Sequence, residues 1–293
     1  MKRRKNSPKY QLYRSRSYAK SFKESWQTLL PNVDAVSVSL SPLAVLSGLT
    51  VALLFVTWRY SGALWMCLEG LLAFLVLSLL YSWTGVVVRK LLTDRMDADT
   101  RRISRMPWRG VFGLFPGEVL MPFYTSVFVG VVIGSLIYGT YLVAGISLWL
   151  LPLSVVVAFI LLVPCIMSYY QVRQFGHPFA KALRSGLKLG TRYYASTLMM
   201  SLVCLLVLAV CASVCFLPLF ILNMAVHASN VAVMFGDTSD LPTSVLVLHF
   251  FLTWLLVALS VLLSAWLWMM PFTHHVCSVK TKEEERKLAV GNS

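Results

Sequence analysis

Glu69 is the residue of this chain whose position most needs a chemical reason, because it is the only acidic residue inside a long apolar stretch. A carboxylate that stays ionised at the middle of a membrane costs about 2.5–3.5 kcal/mol or more. Two interpretations are open. Either Glu69 binds a proton, a cation or a partner subunit, or it lies near the outer surface and pairs with Arg59 or a tyrosine. We therefore predict Glu69 and Arg59 as a partner or ion contact.

Histidine and cysteine form two groups that have the chemistry of metal ligands. The groups are His274 with His275 and Cys277, and the stripe Cys204, Cys211 and Cys215. Adjacent histidines point in different directions on a helix, and the cysteine stripe lacks histidine or carboxylate neighbours. We predict no metal and no cofactor. A lone histidine in an apolar stretch, His249, is read as a hydrogen-bonded packing residue, with a proton relay as the alternative.

The chain lacks the sequence patterns of the common catalytic sites. It contains no H-E-x-x-H pair, no Walker A segment and no Rossmann glycine pattern. No aspartate lies in an apolar stretch, which removes an intramembrane aspartyl pair. We therefore expect that the protein is not an enzyme.

Composition places these residues in a membrane protein. Hydrophobic residues make up 58% of the chain and charged residues 13%, and the apolar residues come in long uncharged runs. A run of about 20 apolar residues crosses about 30 Å of hydrocarbon as a helix. Backbone groups must satisfy their hydrogen bonds within such a segment, so helices are expected. The sequence predicts an all-α integral membrane protein.

Six apolar stretches define the predicted spans. They lie at about 40–58, 62–88, 122–143, 148–170, 195–226 and 244–272. We divide the chain into a basic arm over 1–38, a six-helix transmembrane domain over 39–272 and a tail over 273–293. The spans pair as three hairpins with short outer links.

The basic residues fix the predicted orientation. Twenty-five of the 26 lysine and arginine residues fall in four segments that six spans would leave on one side of the bilayer. Basic loops mark the cytoplasmic side and attract anionic headgroups. Both termini are therefore predicted to be cytoplasmic. The net charge of +14 is assigned to this asymmetry and not to nucleic acid binding. Short loops favour a bacterial inner membrane.

A repeated segment precedes two of the hairpins. Residues 18–29 read YAKSFKESWQTL and residues 179–190 read FAKALRSGLKLG, at an offset of 161. At about 100° per residue each gathers apolar residues on one face and cations on the other, as in interfacial helices. The cations that we expect to contact lipid headgroups are Lys20, Lys23, Lys181, Arg184, Lys188 and Arg192. By position alone, residues 106–120 form a third such unit.

These two short stretches resemble a known group of proteins. The segments AKSFKESW and FAKALRSGLKLG are similar to those before the hairpins of YciC-like bacterial six-span membrane proteins and of the membrane domain fused to some glycerophosphodiester phosphodiesterases. The resemblance implies the same six-span domain. It transfers no catalytic residues.

Small residues recur at every fourth position in the third predicted span. Ser126, Gly130 and Gly134 allow another helix backbone to approach closely, either within the protein or in a partner. We expect a non-catalytic subunit or scaffold of a membrane complex, bound to anionic phospholipid and to a membrane protein partner or a second copy. The alternative is a small-molecule or lipid transporter or channel, supported by the repeats, the prolines within spans and Glu69.

Overall fold

The fold is seen in a computed structural model that describes residues 12, 14–58, 62–97, 100–146, 151–234 and 243–291. These residues form helices and contain no strand; one antiparallel bridge joins Met96 and Ile103. The helices are α1 (Tyr18–Leu29), α2 (Val33–Trp58), α3 (Ala63–Asp94), α4 (Trp108–Phe112), α5 (Leu120–Ile146), α6 (Leu151–Phe175), α7 (Phe179–Arg192), α8 (Tyr194–Met234), α9 (Thr243–Ser264) and α10 (Met270–Gly291). A π-helical segment, Ala265–Met269, joins α9 to α10.

The prediction of an all-helical chain is confirmed, and its long apolar helices are compatible with a membrane protein. Five helical stretches are long and apolar enough to cross a membrane: Tyr18–Thr57, Ala63–Asp94, Leu120–Val143, Tyr194–Ser229 and Ser244–Val290. The span predicted over 148–170 coincides with α6, which is not one of these five. Residues 59–61, 147–150 and 235–242, which include the predicted outer link 59–61 and parts of the other two links, lie outside the described residues.

The four basic segments meet at one end of the helix bundle, which we call the basic end. Asn32, after α1, donates to the carbonyl of Arg101 at 2.8 Å and accepts from the backbone N–H of Ile103 at 2.6 Å. Arg89 at the end of α3 donates to the carbonyl of Arg173 at 2.8 Å. Arg192 of α7 lies 2.6 Å from Glu283 of α10. Side-chain hydrogen bonds thus connect all four segments.

Packing is densest at the basic end and open at the other. The fully buried side chains cluster over 80–92 in α3, 167–174 in α6 and 265–279 in the last helix. At the opposite end, large apolar side chains of α3 and α5 are exposed, including Leu64 at 73% and Tyr141 at 74%. Exposed apolar surface of this extent is stable when lipid covers it.

The junction of α6 and α7 follows from its local sequence. Gly176 has a φ of +63° directly after α6, and its N–H bonds to the carbonyl of Val172, which is a common way for a helix to end. Pro178 then caps α7. The returning helix lies very close to α6: a Cβ on Gly186 would be 2.3 Å from Cα of Ser168, and one on Gly190 would be 2.8 Å from Cα of Pro164.

Two features differ from the predicted layout. The last helix does not give way to a separate tail at residue 273: α10 continues the helix to Gly291, and residues 270–279 are buried. The middle repeat unit, predicted by position alone at residues 106–120, contains only the short helix α4. Its carbonyl of Val111 accepts from Trp83 Nε1 at 2.9 Å, and the Trp83 ring stacks on Phe115. These residues pack on α3 and do not form a long interfacial helix.

The close contact of α6 and α7 gives a stability prediction. Gly186→Ala should lower the stability by about 1–3 kcal/mol because the new methyl group displaces helix backbone. This outweighs the gain of roughly 1 kcal/mol in helix propensity. Gly134→Ala, where a Cβ meets no atom within 4 Å, is the control and should not destabilise. Thermal unfolding of both variants in mild detergent decides the point; equal melting temperatures would contradict the close approach.

Candidate functional site

A buried arginine is the most unusual chemical feature of the described residues. Arg173 lies in the last turn of α6 and is 0% exposed. No carboxylate of the described residues lies within 4.0 Å of its side chain. Taking a charge out of water costs about several kcal/mol unless partners replace the lost hydration. The surroundings of Arg173 must therefore supply that replacement.

Two kinds of contact stabilise the guanidinium. Arg173 Nη2 donates to Thr273 Oγ1 at 2.6 Å and to the carbonyl of Met269 at 3.4 Å. The Arg173 Cζ also lies 4.2 Å from the ring centre of Tyr170 and 5.8 Å from that of Tyr169. Cation–π contacts of this length are favourable, the more so when the cation is desolvated.

Backbone geometry on two neighbouring helices makes room for these contacts. On α3, a Cβ on Gly85 would lie 2.7 Å from Arg173 Cδ and 2.9 Å from Nη1, so a larger residue there would displace the guanidinium. On the last helix, the π-helical segment ends at Met269, whose carbonyl accepts from both Arg173 and Thr273. Segments of this kind inside α-helices often occur at functional sites.

The contacts leave part of the buried polar surface unsatisfied. Arg173 Nε and the Tyr170 hydroxyl are buried and make no hydrogen bond to the described residues, and the Tyr169 hydroxyl lies beside Arg173 and Ser82. Buried donors of this kind are rare in native proteins. The site therefore retains hydrogen-bonding capacity at its centre.

An apolar cleft begins beside the two tyrosines. Its volume is about 530 Å³, within the usual range of small-molecule sites. It lies among α3, α5 and α6, with α8 and the π-helical segment at its edge. The lining residues are Phe74, Leu77, Ser78, Tyr81, Ser126, Val129, Gly130, Ile133, Leu162, Ile166, Tyr169, Tyr170, Leu205 and Trp268.

Ion pairs lie next to Arg173 at the basic end of the bundle. Arg89 pairs with Glu118, and Lys90 lies 2.8 Å from the same carboxylate. Because Arg89 also donates to the carbonyl of Arg173, it places a cation at the C-terminal end of α6, where the helix dipole favours positive charge. His177 follows; burial and the nearby Lys280 and Lys181 lower the pKa of its imidazole. The ring is therefore neutral at neutral pH.

The N-terminal arm packs onto α10. The backbone N–H of Arg16 donates to Ser278 Oγ at 2.7 Å, and the same hydroxyl donates to the carbonyl of Arg16 at 3.0 Å. The Arg16 side chain pairs with Glu24 at 2.7 Å. Burial lowers the pKa of the Arg16 guanidinium, and Glu24 opposes that shift. The arm thereby closes the basic end against α10.

Of the predicted pair Glu69 and Arg59, only Glu69 belongs to the described residues. Glu69 is partly buried in the second turn of α3, among the exposed apolar residues of the open end. Arg59 lies outside the described residues. Their contact therefore stays a prediction.

The small residues of α5 face two different environments. Ser126 Oγ accepts from Ser82 at 2.9 Å and donates to the carbonyl of Ser78 at 3.2 Å. A Cβ on Gly130 would be 2.8 Å from the Phe74 ring, whereas one on Gly134 meets nothing within 4 Å. Ser126 and Gly130 thus contact α3 within the protein, and Gly134 does not.

The histidines and cysteines have no metal-like arrangement in the part of the chain that is described: no group of three or more potential ligands occurs there. His275 Nε2 shares a hydrogen bond with Thr197 at 3.2 Å. His249 bonds to Asn223 Oδ1 at 2.7 Å and stacks on Phe55 at 3.9 Å between ring centres. This geometry is that of packing residues.

All six cations predicted to contact lipid headgroups are exposed: Lys20, Lys23, Lys181, Arg184, Lys188 and Arg192. Arg192 pairs with Glu283, and the other five have no carboxylate of a described residue within 4.0 Å. The opposite face of α7 differs from expectation. Ala182, Gly186 and Leu189 are buried and not in an acyl layer, because α7 lies directly on α6.

Sequence reasoning missed Arg173, which it counted as one of the loop cations. A signal was present: Tyr169 and Tyr170 precede Arg173 by four and three residues, the spacing that places side chains on one helix face. Because the predicted span ended at Tyr170, Arg173 was assigned to the loop and this spacing was not considered. The partner on α10, Thr273, lay in the predicted tail.

Comparison with known proteins returned no match: no family model, no curated protein and no solved structure is similar to this chain. The site is therefore interpreted from its own residues.

The bond from Arg173 to Thr273 should contribute measurably to stability. Thr273→Val keeps the shape but removes the oxygen that accepts from the guanidinium, so we expect a loss of about 1–3 kcal/mol. Thr191→Val is the matched control, since Thr191 is exposed and bonds only to carbonyls of its own helix. Chemical unfolding in detergent measures both. If Thr273→Val loses no more stability than the control, the hydrogen bond from Arg173 to Thr273 does not stabilise the fold.

Proposed function

We propose that this protein is a non-catalytic subunit or scaffold of a complex in a bacterial inner membrane, with six spans and both termini in the cytoplasm. In this proposal α1 and α7 lie at the cytoplasmic surface and bind anionic phospholipid. The transmembrane helices hold a partner protein or a second copy of the chain.

The observation that carries the lipid part of the proposal is the state of the cations on α1 and α7. Five of them are exposed and have no carboxylate of a described residue within 4.0 Å. Both helices also join directly to long apolar helices, α2 and α8. Cations in this position are available to lipid phosphates, each contributing about 1 kcal/mol near an anionic surface.

The exposure of α8 supports the partner part of the proposal. None of the residues in its most apolar 18-residue window is buried, whereas a third of the corresponding window in Tyr18–Thr57 is buried. The large side chains on display include Leu206 at 67% and Val214 at 70%. Among the five candidate spans of the described residues, this one has the smallest share of buried residues in its most apolar window, so its apolar side chains are available to another protein.

A transporter of a lipid or small molecule is the second candidate function, and the cleft among α3, α5 and α6 favours it. The two functions differ in what Glu69 does. Under transport, Glu69→Gln abolishes flux and leaves assembly unchanged; under the scaffold proposal, it releases a co-purifying partner. Mass spectrometry of the protein and its Glu69→Gln variant, extracted from native membranes in mild detergent, shows whether a partner co-purifies with each. A lone protein that retains a solute would contradict the scaffold.

Reversing charge on α7 should weaken the binding of anionic lipid. We expect Lys181→Glu with Arg184→Glu to reduce binding to vesicles or nanodiscs containing phosphatidylglycerol by about tenfold or more, since each cation contributes about 1 kcal/mol. The control is Lys282→Glu with Lys287→Glu, which makes the same change in net charge on α10. Lipid retention is measured at low and high salt. An equal loss in both double variants would show a general charge effect and not a surface on α7.

A further inference from the structure

A buried cation lies behind one end of the cleft: Arg173 does not line the cleft itself but stacks on two tyrosines that do. The Tyr170 hydroxyl and Arg173 Nε are buried without a hydrogen bond to the described residues, whereas the Tyr169 hydroxyl lies beside Arg173 and Ser82. Buried charged groups in proteins are normally paired. An acceptor with negative charge is the group that would satisfy these donors.

The rest of the cleft suits an apolar chain. Its walls are formed by Leu77 of α3, Ile133 of α5 and Leu162 and Ile166 of α6, among others. Three tyrosines, Tyr81, Tyr169 and Tyr170, and Trp268 line the cleft. The only other polar side chains of the lining are those of Ser78 and Ser126. The Ser126 hydroxyl is already bonded within the protein. Apolar walls with polar groups gathered at one end are complementary to an amphiphile.

The two parts are arranged in order along α6. Leu162 and Arg173 are eleven residues apart, about 16 Å along a helix. The tyrosines lie one turn before Arg173, between the apolar wall and the basic end. A chain lying along α6 in the cleft therefore brings its terminal group to the level of the tyrosine hydroxyls and the guanidinium.

We propose that the cleft and Arg173 form a binding site for an anionic amphiphile. One apolar chain fills the cleft, and its terminal oxyanion accepts hydrogen bonds from Arg173 and from the Tyr170 hydroxyl. A carboxylate or a phosphate has this chemistry, since both are recognised by guanidinium groups. The site is separate from the exposed cations of α1 and α7 and does not depend on their binding lipid.

Native mass spectrometry of the full chain in mild detergent tests the proposal with defined probes. The probes are oleate, phosphatidylglycerol, phosphatidylcholine and oleyl alcohol, each titrated against the delipidated protein. We expect one oleate or one phosphatidylglycerol per chain; the first identifies a fatty acid and the second a phospholipid as the source of the oxyanion. Oleyl alcohol, with the same chain and no charge, should bind about tenfold or more weakly. Equal binding of oleyl alcohol and oleate overturns the proposal.

Variants separate the two parts of the site. Arg173→Gln removes the charge and Ile133→Trp fills the cleft, and each should weaken binding of the anionic probe by about tenfold or more. Val131→Trp, on an exposed position of α5 that does not line the cleft, is the control and should bind normally. If Arg173→Gln does not fold, Tyr170→Phe replaces it, since it removes only the hydroxyl. Unchanged binding in the folded variants overturns the proposal.

A further control distinguishes this site from the surface of α7. Lys181→Gln with Arg184→Gln removes two exposed cations and should leave the single bound oleate in place. Loss of oleate in that variant, with retention in Ile133→Trp, would assign the bound lipid to the interfacial helix and overturn the proposal for the cleft.

Discussion

The arrangement of the basic end depends on the burial of one guanidinium. Arg173 contacts three separate parts of the chain: Gly85 on α3, the tyrosines of its own helix, and Thr273 on α10. A desolvated charge tolerates little displacement from its partners, because each lost contact leaves an uncompensated cost. The relative positions of α3, α6 and the last helix are thereby tied together at this level.

This explains why the buried side chains and the polar contacts between helices are concentrated at one end of the bundle. Inside a membrane, apolar side chains gain little by leaving lipid for protein, so helices associate through close backbone approach and polar contacts. The described residues supply both mainly at the basic end, in the contacts of Gly186 with Ser168, of Asn32 with Ile103 and of Arg16 with Ser278. The open end presents apolar side chains, which lipid can cover without loss.

Local patterns were predictable and long-range contacts were not. The end of α2 at Trp58 and the bounds of α7 follow from apolar runs, charges and the repeated segment, all of which are read within one helix. The extension of the last helix to Gly291 was missed because the sequence becomes polar after residue 272. Those polar residues are buried because they pack on the N-terminal arm, some 260 positions away, and on α6 and α8, as in the contacts of Thr273 with Arg173 and of His275 with Thr197. The cation Arg173 was missed for the same reason, since its partner Thr273 lies 100 residues away.

The contact of α7 with α6 joins the two parts of the molecule that we propose to bind lipid. The exposed cations lie on α7, and the buried cation lies on α6. Between the two helices, glycine at 186 and 190 brings the backbones so close that a single added methyl group would not fit. Interiors packed at this density transmit a displacement instead of absorbing it. In the proposed arrangement, the depth at which α7 lies on a charged membrane surface therefore sets the depth of Arg173 and the level of the cleft relative to the lipid headgroups.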